Sequence, residues 1–473
     1  MRFEAVIFSL LGLGVSGSIF AAEIYVRDKT YEQEIMQAQV NKMDGIVGRN
    51  QPGGFDQACG WKCRINLSGW VNTDAYITNT PPIFIKLTPF TDLFSTRGSL
   101  VRPTNQRHSD LVLNNANLFI DARVNDWIKT NMSFVYTSLE NFPDGIGAYG
   151  FPTSLLIHRA LSTTRLDTAY ATLQHFNVSP VYLRIGKEYV PFGNYNPYSF
   201  VTSENPTQLL SEINATTAQL GFTMPSGLYG AIYTFSGQPR LSDRGYTHRI
   251  QNGGVNLGYT YSDTISNFNI DAGYIGSITD TNFLSAYYTN KIVETAFVIT
   301  ETSFPNETNV PGLPNQKAPA YNVNASFQWG PLDVSGQYIA TIRNFRKPFL
   351  LAFPVPPEPY QIPPLTFKKP KLWGFEVGLT FAAIANQSRL AVGYQATRNL
   401  AGLLPRQRVY VDYLMNISQW FDVGVAIIQY KDYSLGTDQV FSITGSGRRV
   451  IILPGASGNK STLGQLRASI KFA

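Results

Sequence analysis

Charge is scarce in this 473-residue chain. Its 38 Lys and Arg and 32 Asp and Glu make up 15% of the residues, with a formal net charge of +6. So small a surplus leaves no electrostatic footprint for nucleic acid and suits anionic solutes or a lipopolysaccharide surface. Histidine is scarcer still. His108, His158, His175 and His248 are the four present, and all but His175 fall in segments that read as loops. None stands with Ser or Asp in a strand constellation that would serve catalysis, so neither an enzyme nor a cofactor is expected. The two cysteines, Cys59 and Cys63, lie in A-C-G-W-K-C. In an exported chain so close a pair is expected to form a disulfide, and without a His or third Cys nearby a metal site is not expected. After the first 22 residues no run approaches the roughly 18 consecutive apolar residues of a membrane-spanning helix.

The start of the chain reads as a secretory signal over residues 1–22. Arg2 gives a weak positive start, Ala5 to Phe20 is apolar apart from Ser and Gly, and cleavage is expected after Ala21 or Ala22. No cysteine stands directly after this stretch, so a lipoprotein anchor is not indicated. Residues 23–63 form a separate periplasmic segment. Thr30 to Val47 reads as a short helix capped by Thr30, with Glu32 and Glu34 in its first turn, and Gly45, Gly48, Pro52, Gly53 and Gly54 end it. The segment is either a periplasmic extension or an oligomerisation helix or small plug.

From residue 64 to 473 the pattern is that of strands. Aromatics are abundant, with 30 Phe and 26 Tyr, beside 39 Gly. In the last strand Leu466, Ala468, Ile470 and Phe472 share one face, and Gln465, Arg467, Ser469 and Lys471 share the other. The same alternation sets Val409, Val411, Tyr413 and Met415 against Arg408, Tyr410, Asp412 and Asn416. It also sets Leu390, Val392, Tyr394 and Ala396 against Arg389, Gly393, Gln395 and Thr397. About sixteen such strands can be placed, from 64–77 to 461–472, an even number of the kind found in bacterial barrels. A secreted β-helix or sandwich is the soluble alternative.

Connection length decides between them. Tight links at 125–127, 177–180, 225–227, 263–266, 330–331, 382–387 and 418–420 alternate with long ones at 78–109, 139–165, 191–215, 237–250, 278–318, 344–370, 399–406 and 432–460. Short periplasmic turns alternating with long extracellular loops is the arrangement of an outer-membrane barrel. Trp127, Trp329 and Trp420 all stand beside tight links, as an interfacial aromatic girdle would. The expected fold is an all-β, transmembrane antiparallel β-barrel of about 16 strands behind a short N-terminal helical segment.

The inward positions of such a barrel include Arg123, Lys129, Arg184, Arg343, Arg389, Arg408, Arg467 and Lys471, roughly balanced by Asp74, Asp121, Glu188, Asp271, Asp333, Glu376, Asp412 and Asp422. Pairing across strands is the ordinary role of such charges, and solute selection is the more specific one. Arg184, Glu188, Arg343, Arg389, Arg408, Asp412 and Arg467 are the candidate pore-lining residues, because a guanidinium binds carboxylate bidentately. Arg389 and Arg408 flank one short loop and are expected at similar height. The loop 191–215, entered through Tyr189 and carrying Phe192, Tyr195 and Tyr198, is the candidate constriction. The Pro-rich loop 344–370, basic at both ends, reads as a lid, a receptor surface or a stiff loop facing lipopolysaccharide.

The order of signal peptide, short polar helix, I-N-L-S-G-W-V-N-T-D-A at Ile65 to Ala75 and G-K-E-Y-V-P-F-G at Gly186 to Gly193 resembles the LbtU-type siderophore porins over the whole chain. These are sixteen-stranded outer-membrane proteins of intracellular gammaproteobacterial pathogens and their relatives. The resemblance implies uptake of a ferric polycarboxylate siderophore without a plug domain. Two departures stand out: a helix shorter than the expected coiled coil, and an end at Phe472-Ala473 instead of on an aromatic residue. The partners expected are outer-membrane lipid and lipopolysaccharide, a small solute, and further copies of the chain if it assembles as a homo-oligomer. A general diffusion porin is the alternative within transport, and a structural or adhesive barrel with a closed lumen is the alternative outside it.

Overall fold

Period-two alternation makes each segment two-faced, and a sheet with one apolar face outward must close, because an open edge leaves backbone groups unpaired in lipid. The computed structural model shows that closure. It describes residues 65–80, 84–86, 106–137, 163–193, 206–237, 240–242, 245–247, 250–284 except 264, 317–346, 366–382, 387–434 except 402 and 419, 439–444, 447–452 and 458–472. The expected signal peptide, residues 23–63 with Cys59 and Cys63, and Tyr195 and Tyr198 lie outside the described residues.

Sixteen antiparallel strands form the barrel, each paired with its neighbours in sequence. They are β1 (Ile65–Thr80), β2 (Gln106–Arg123), β3 (Ile128–Thr137), β4 (Thr163–Gln174), β5 (Val181–Tyr189), β6 (Asn214–Thr223), β7 (Leu228–Ser236) and β8 (Ile250–Ser262). There follow β9 (Ser266–Ile275), β10 (Ala320–Trp329), β11 (Leu332–Thr341), β12 (Lys371–Phe381), β13 (Gln387–Arg398), β14 (Gln407–Ser418), β15 (Phe421–Lys431) and β16 (Lys460–Phe472). β16 closes on β1, with Asp74 opposite Arg467 and Gly69 opposite Phe472. Ten residues at about 3.3 Å each, tilted as barrel strands are, cover an apolar band about 25 Å tall.

The outward face is the apolar one. Leu390, Val392, Val409, Val411, Phe375, Val377, Leu466, Ile470 and Phe472 are exposed, as are the girdle residues Trp127, Trp329 and Trp420. Ala396 departs from the alternation expected of its strand: it is buried, at a position paired with Trp373. The tight links are short turns, and at Gly330 the φ of 53° supplies the left-handed residue that a two-residue connection between Trp329 and Leu332 requires.

The long connections carry structure that the alternation does not foretell. Phe84–Lys86 pairs with Gly447–Ile452, which pairs with Gln439–Thr444, so the first and last long connections share a small sheet. Phe345–Arg346 pairs with Thr366–Phe367. A four-residue helix, α1 (Pro206–Leu209), lies between β5 and β6. An apolar cluster unites several of these links inside the barrel. It joins Val190, Phe192, Leu210 and Ile213 to Ile275, Ile278, Leu284, Ile339, Leu372, Phe345, Phe367, Leu400, Leu403 and Leu404.

Candidate functional site

The described parts of the chain between β5 and β6, residues 190–193 and 206–213, lie inside the barrel, and α1 reaches its opposite wall. Val190 and Phe192 are fully buried, and Val190 N–H donates to Ile213 O at 3.0 Å, pinning the two ends of the loop together. α1 contacts β12, seven strands around a sixteen-strand barrel from β5 and so nearly opposite its root. Leu210 and residues of β11 and β12, Ile339 and Leu372 among them, line a small common cavity with Ile278, Phe345 and Leu400. The segment after β9 braces the loop: Asn282 N–H donates to Glu212 O at 2.8 Å, and Asn214 N–H donates to Asn282 Oδ1 at 3.0 Å. Gly193 adopts a φ of 87°, and a Cβ added there would lie 2.3 Å from Ser211 Cβ, so only glycine fits the approach. Of the candidate constriction residues, Tyr189 is buried and donates its hydroxyl to Asp167 Oδ1 at 2.8 Å, and Phe192 sits in the apolar cluster.

The candidate arginines of the strands face inward, and the wall holds them. Arg184 bonds Glu188 Oε2 at 3.2 Å and Thr172 Oγ1 at 3.2 Å, with its guanidinium 4.7 Å from the Tyr170 ring centre. Both members of this pair are buried, and Glu188 Oε1 also accepts from Thr217 Oγ1 at 2.5 Å. Arg389 bonds Asp333 through Nε at 3.1 Å and Nη2 at 2.5 Å, and also Glu376. Glu376 in turn accepts the Tyr410 hydroxyl at 2.5 Å, so this network ties β11 to β14. Arg467 grips Asp74 with two bonds of 2.6 and 2.7 Å, while Gln465 and Asn114 donate to the same carboxylate. Arg408 donates to Gln395 Oε1 at 3.0 Å and lies against Tyr410 and Tyr430, and Asp412, four residues along the same strand, is buried. Lys471 pairs with Asp422.

Two expectations are corrected by the register. Arg343 is not a strand residue, because β11 ends at Thr341 where Ile342 N–H turns to Pro319 O, and Arg343 is exposed beyond it. Arg389 and Arg408 are not at one height. Arg408 stands opposite Gln395, and Arg389 opposite Leu414, so six residues separate their levels. At the strand rise that is about 20 Å. Antiparallel strands put the first residue of one beside the last of its neighbour, and these two arginines open successive strands.

Alternation identified the inward residues but not the amides. Asn256, Asn269 and Asn324 all donate to Asp271, and Asn322 and Gln337 lie on the same wall. Uncharged inward residues carry no signal beyond polarity, and only the cross-strand register brings them together.

No protein-family model matches the chain. It is similar to a UPF0422 protein of Legionella pneumophila (strain Lens), 27% identical over 390 residues, covering 81% of this chain and 65% of the relative. A UPF0422 protein of Coxiella burnetii is 26% identical over 271 residues, 55% of this chain and 50% of that one. The chain therefore spans less than two thirds of the length of these relatives. Among solved structures it is similar to the anion-selective porin from Comamonas acidovorans, with a TM-score of 0.45 and 11% identity over 86% of this chain and 99% of that one. It is also similar to Salmonella typhi OmpF in complex with daunomycin, with a TM-score of 0.45 and 11% identity over 86% and 97%.

Proposed function

We propose that the chain is an outer-membrane channel for small polar solutes in a Gram-negative envelope, narrowed by the loop between β5 and β6. The observation that carries this reading is the loop's passage across the lumen to β12, inside a closed barrel with an apolar outer face. A crossing loop sets the width of the passage, and the groups lining a narrow pore select among solutes. Uptake of a ferric polycarboxylate siderophore is the finer reading implied by the resemblance. It needs guanidinium groups free to meet carboxylates, whereas Arg184, Arg389 and Arg467 meet wall carboxylates. That pairing favours general diffusion over anion capture. Purified, detergent-folded protein in planar bilayers is expected to give stable conductance steps. Silence at all voltages would instead favour a closed structural or adhesive barrel.

A further inference from the structure

One row on the lumen wall is uncharged through its middle. Strand pairing sets Asp271 (β9), Asn324 (β10), Gln337 (β11), Gly374 (β12), Gln395 (β13) and Arg408 (β14) side by side. Asn322 lies one inward position along β10 from Asn324. Asn322, Asn324, Gln337 and Gln395 are all at least 96% buried. Buried amides ordinarily find partners, because losing water without replacement is costly. Here Asn322 Oδ1 and Nδ2, Asn324 Oδ1, Gln337 Oε1 and Nε2, and Gln395 Nε2 have no hydrogen-bond partner among the described residues.

The ends of the row are tied while its middle is not. Asn324 Nδ2 donates to Asp271 at 2.7 Å, and Gln395 Oε1 accepts from Arg408 at 3.0 Å. The amides are thus oriented by their neighbours, with donors and acceptors left over. Gly374 stands between the two glutamines and carries no side chain, and the Gln395 side chain packs over it, since a Cβ there would meet Gln395 Cγ at 2.9 Å. The first residues of the crossing loop lie against them: a Cβ on Gly193 would lie 3.0 Å from Gln337 Nε2.

We propose that this row is a binding subsite for an uncharged polyhydroxylated solute, a sugar or polyol, a substrate class that deepens and rests on the channel reading above. A hydroxyl both donates and accepts, and a carboxamide offers both functions at fixed spacing. An anion would meet amide oxygens and Asp271, with the guanidinium of Arg408 already donating to Gln395, and a cation would meet amide N–H groups with one carboxylate already accepting from three asparagines. Neither suits a mixed donor and acceptor row. The atoms are closed off from bulk water, so a solute reaches them only where side chains of the wall give way.

The test uses the full chain in planar bilayers. Glucose, sorbitol and sucrose are added in turn, with citrate as a charged comparison and triethylene glycol dimethyl ether as a neutral solute that only accepts. For each protein the readout is current with solute divided by current without. The three hydroxylated solutes are expected to reduce current saturably, and citrate and the ether are not. A Gln337→Leu variant, which removes an amide with both atoms unpaired, should raise the half-blocking concentration at least tenfold. Replacing unpaired buried amides by apolar groups of similar shape leaves a fold intact, which heat-modifiable migration checks. Asn322→Val is a second, independent variant and should act in the same direction. A conducting wild type that no polyol blocks, or whose block survives both variants, would mean that the amides hold only water and would overturn the subsite. Block by citrate as strong as by glucose would overturn the uncharged class. A wild type that never conducts would bring down the channel reading itself.

Discussion

Asp74 has no exposed surface, and Arg467, Gln465 and Asn114 all donate to it. It sits on β1 and its guanidinium partner on β16, so this one carboxylate fastens the seam where the barrel closes. Removing one member of a buried ion pair leaves the other uncompensated, at a cost of about 3–5 kcal/mol. Asp74→Ala is therefore expected to lower the temperature of the heat-modifiable gel shift well below that of wild type. An Asp74→Asn/Arg467→Gln double variant should recover part of the loss, since no charge is then stranded. Equal damage from both would mean that the pair contributes packing and not charge compensation. At this scale the inward direction of Asp74 and Arg467 is legible from alternation alone. Their pairing is not, because it joins residues almost 400 positions apart and depends on closure. The same limit applies to Arg389, whose inward side is plain in L-A-V-G-Y alternation but whose partners Asp333 and Glu376 come from two other strands.

Elements were the most legible level. Each barrel strand begins and ends within a few residues of the alternating segments, because a lipid-facing side chain and a lumen-facing one differ in every strand and the period is two. Loops are another matter. The apolar residues Val190, Phe192, Leu210 and Ile213 have no period, so their burial inside the lumen does not show in their spacing. An inward-folded loop could be suspected from the Pro, Gly and aromatic content after Gly186, but its contacts with β11 and β12 could not. Docking rests on Phe192 and on the tight passage at Gly193. Phe192→Ala should weaken it by about 3–5 kcal/mol, as for other buried aromatics. Gly193→Ala should strain it at a positive φ and against Ser211. Both variants are expected to fold and to conduct more than wild type, with noisier open current. Unchanged conductance in both would place the narrowest point elsewhere.

At the scale of the whole molecule, an even set of strands joined by alternately short and long links closes on itself with both ends on one side, and the sequence carries that arrangement openly. The balance of charge in the lumen is legible too, yet its consequence depends on who is paired with whom. Arg389 is shared by Asp333 and Glu376, Arg184 is met by Glu188, and Arg467 by Asp74. Paired charges cancel at a distance, so the open channel should discriminate little between small cations and anions. In a tenfold KCl gradient its reversal potential is expected close to zero, against about 59 mV for a perfectly selective pore. Arg389 is the sensitive point, being one cation between two carboxylates and partly exposed to the lumen. Arg389→Gln would leave Asp333 and Glu376 without their counter-charge and should shift the reversal potential toward potassium. Adding Asp333→Asn and Glu376→Gln to that variant should return it toward zero. An anion-capturing lumen behaves differently: wild type would begin chloride-selective, and losing Arg389 would only move it to neutrality. The sign of the wild-type potential, followed by the direction of the Arg389→Gln shift, therefore separates a general diffusion channel from one built for polycarboxylates.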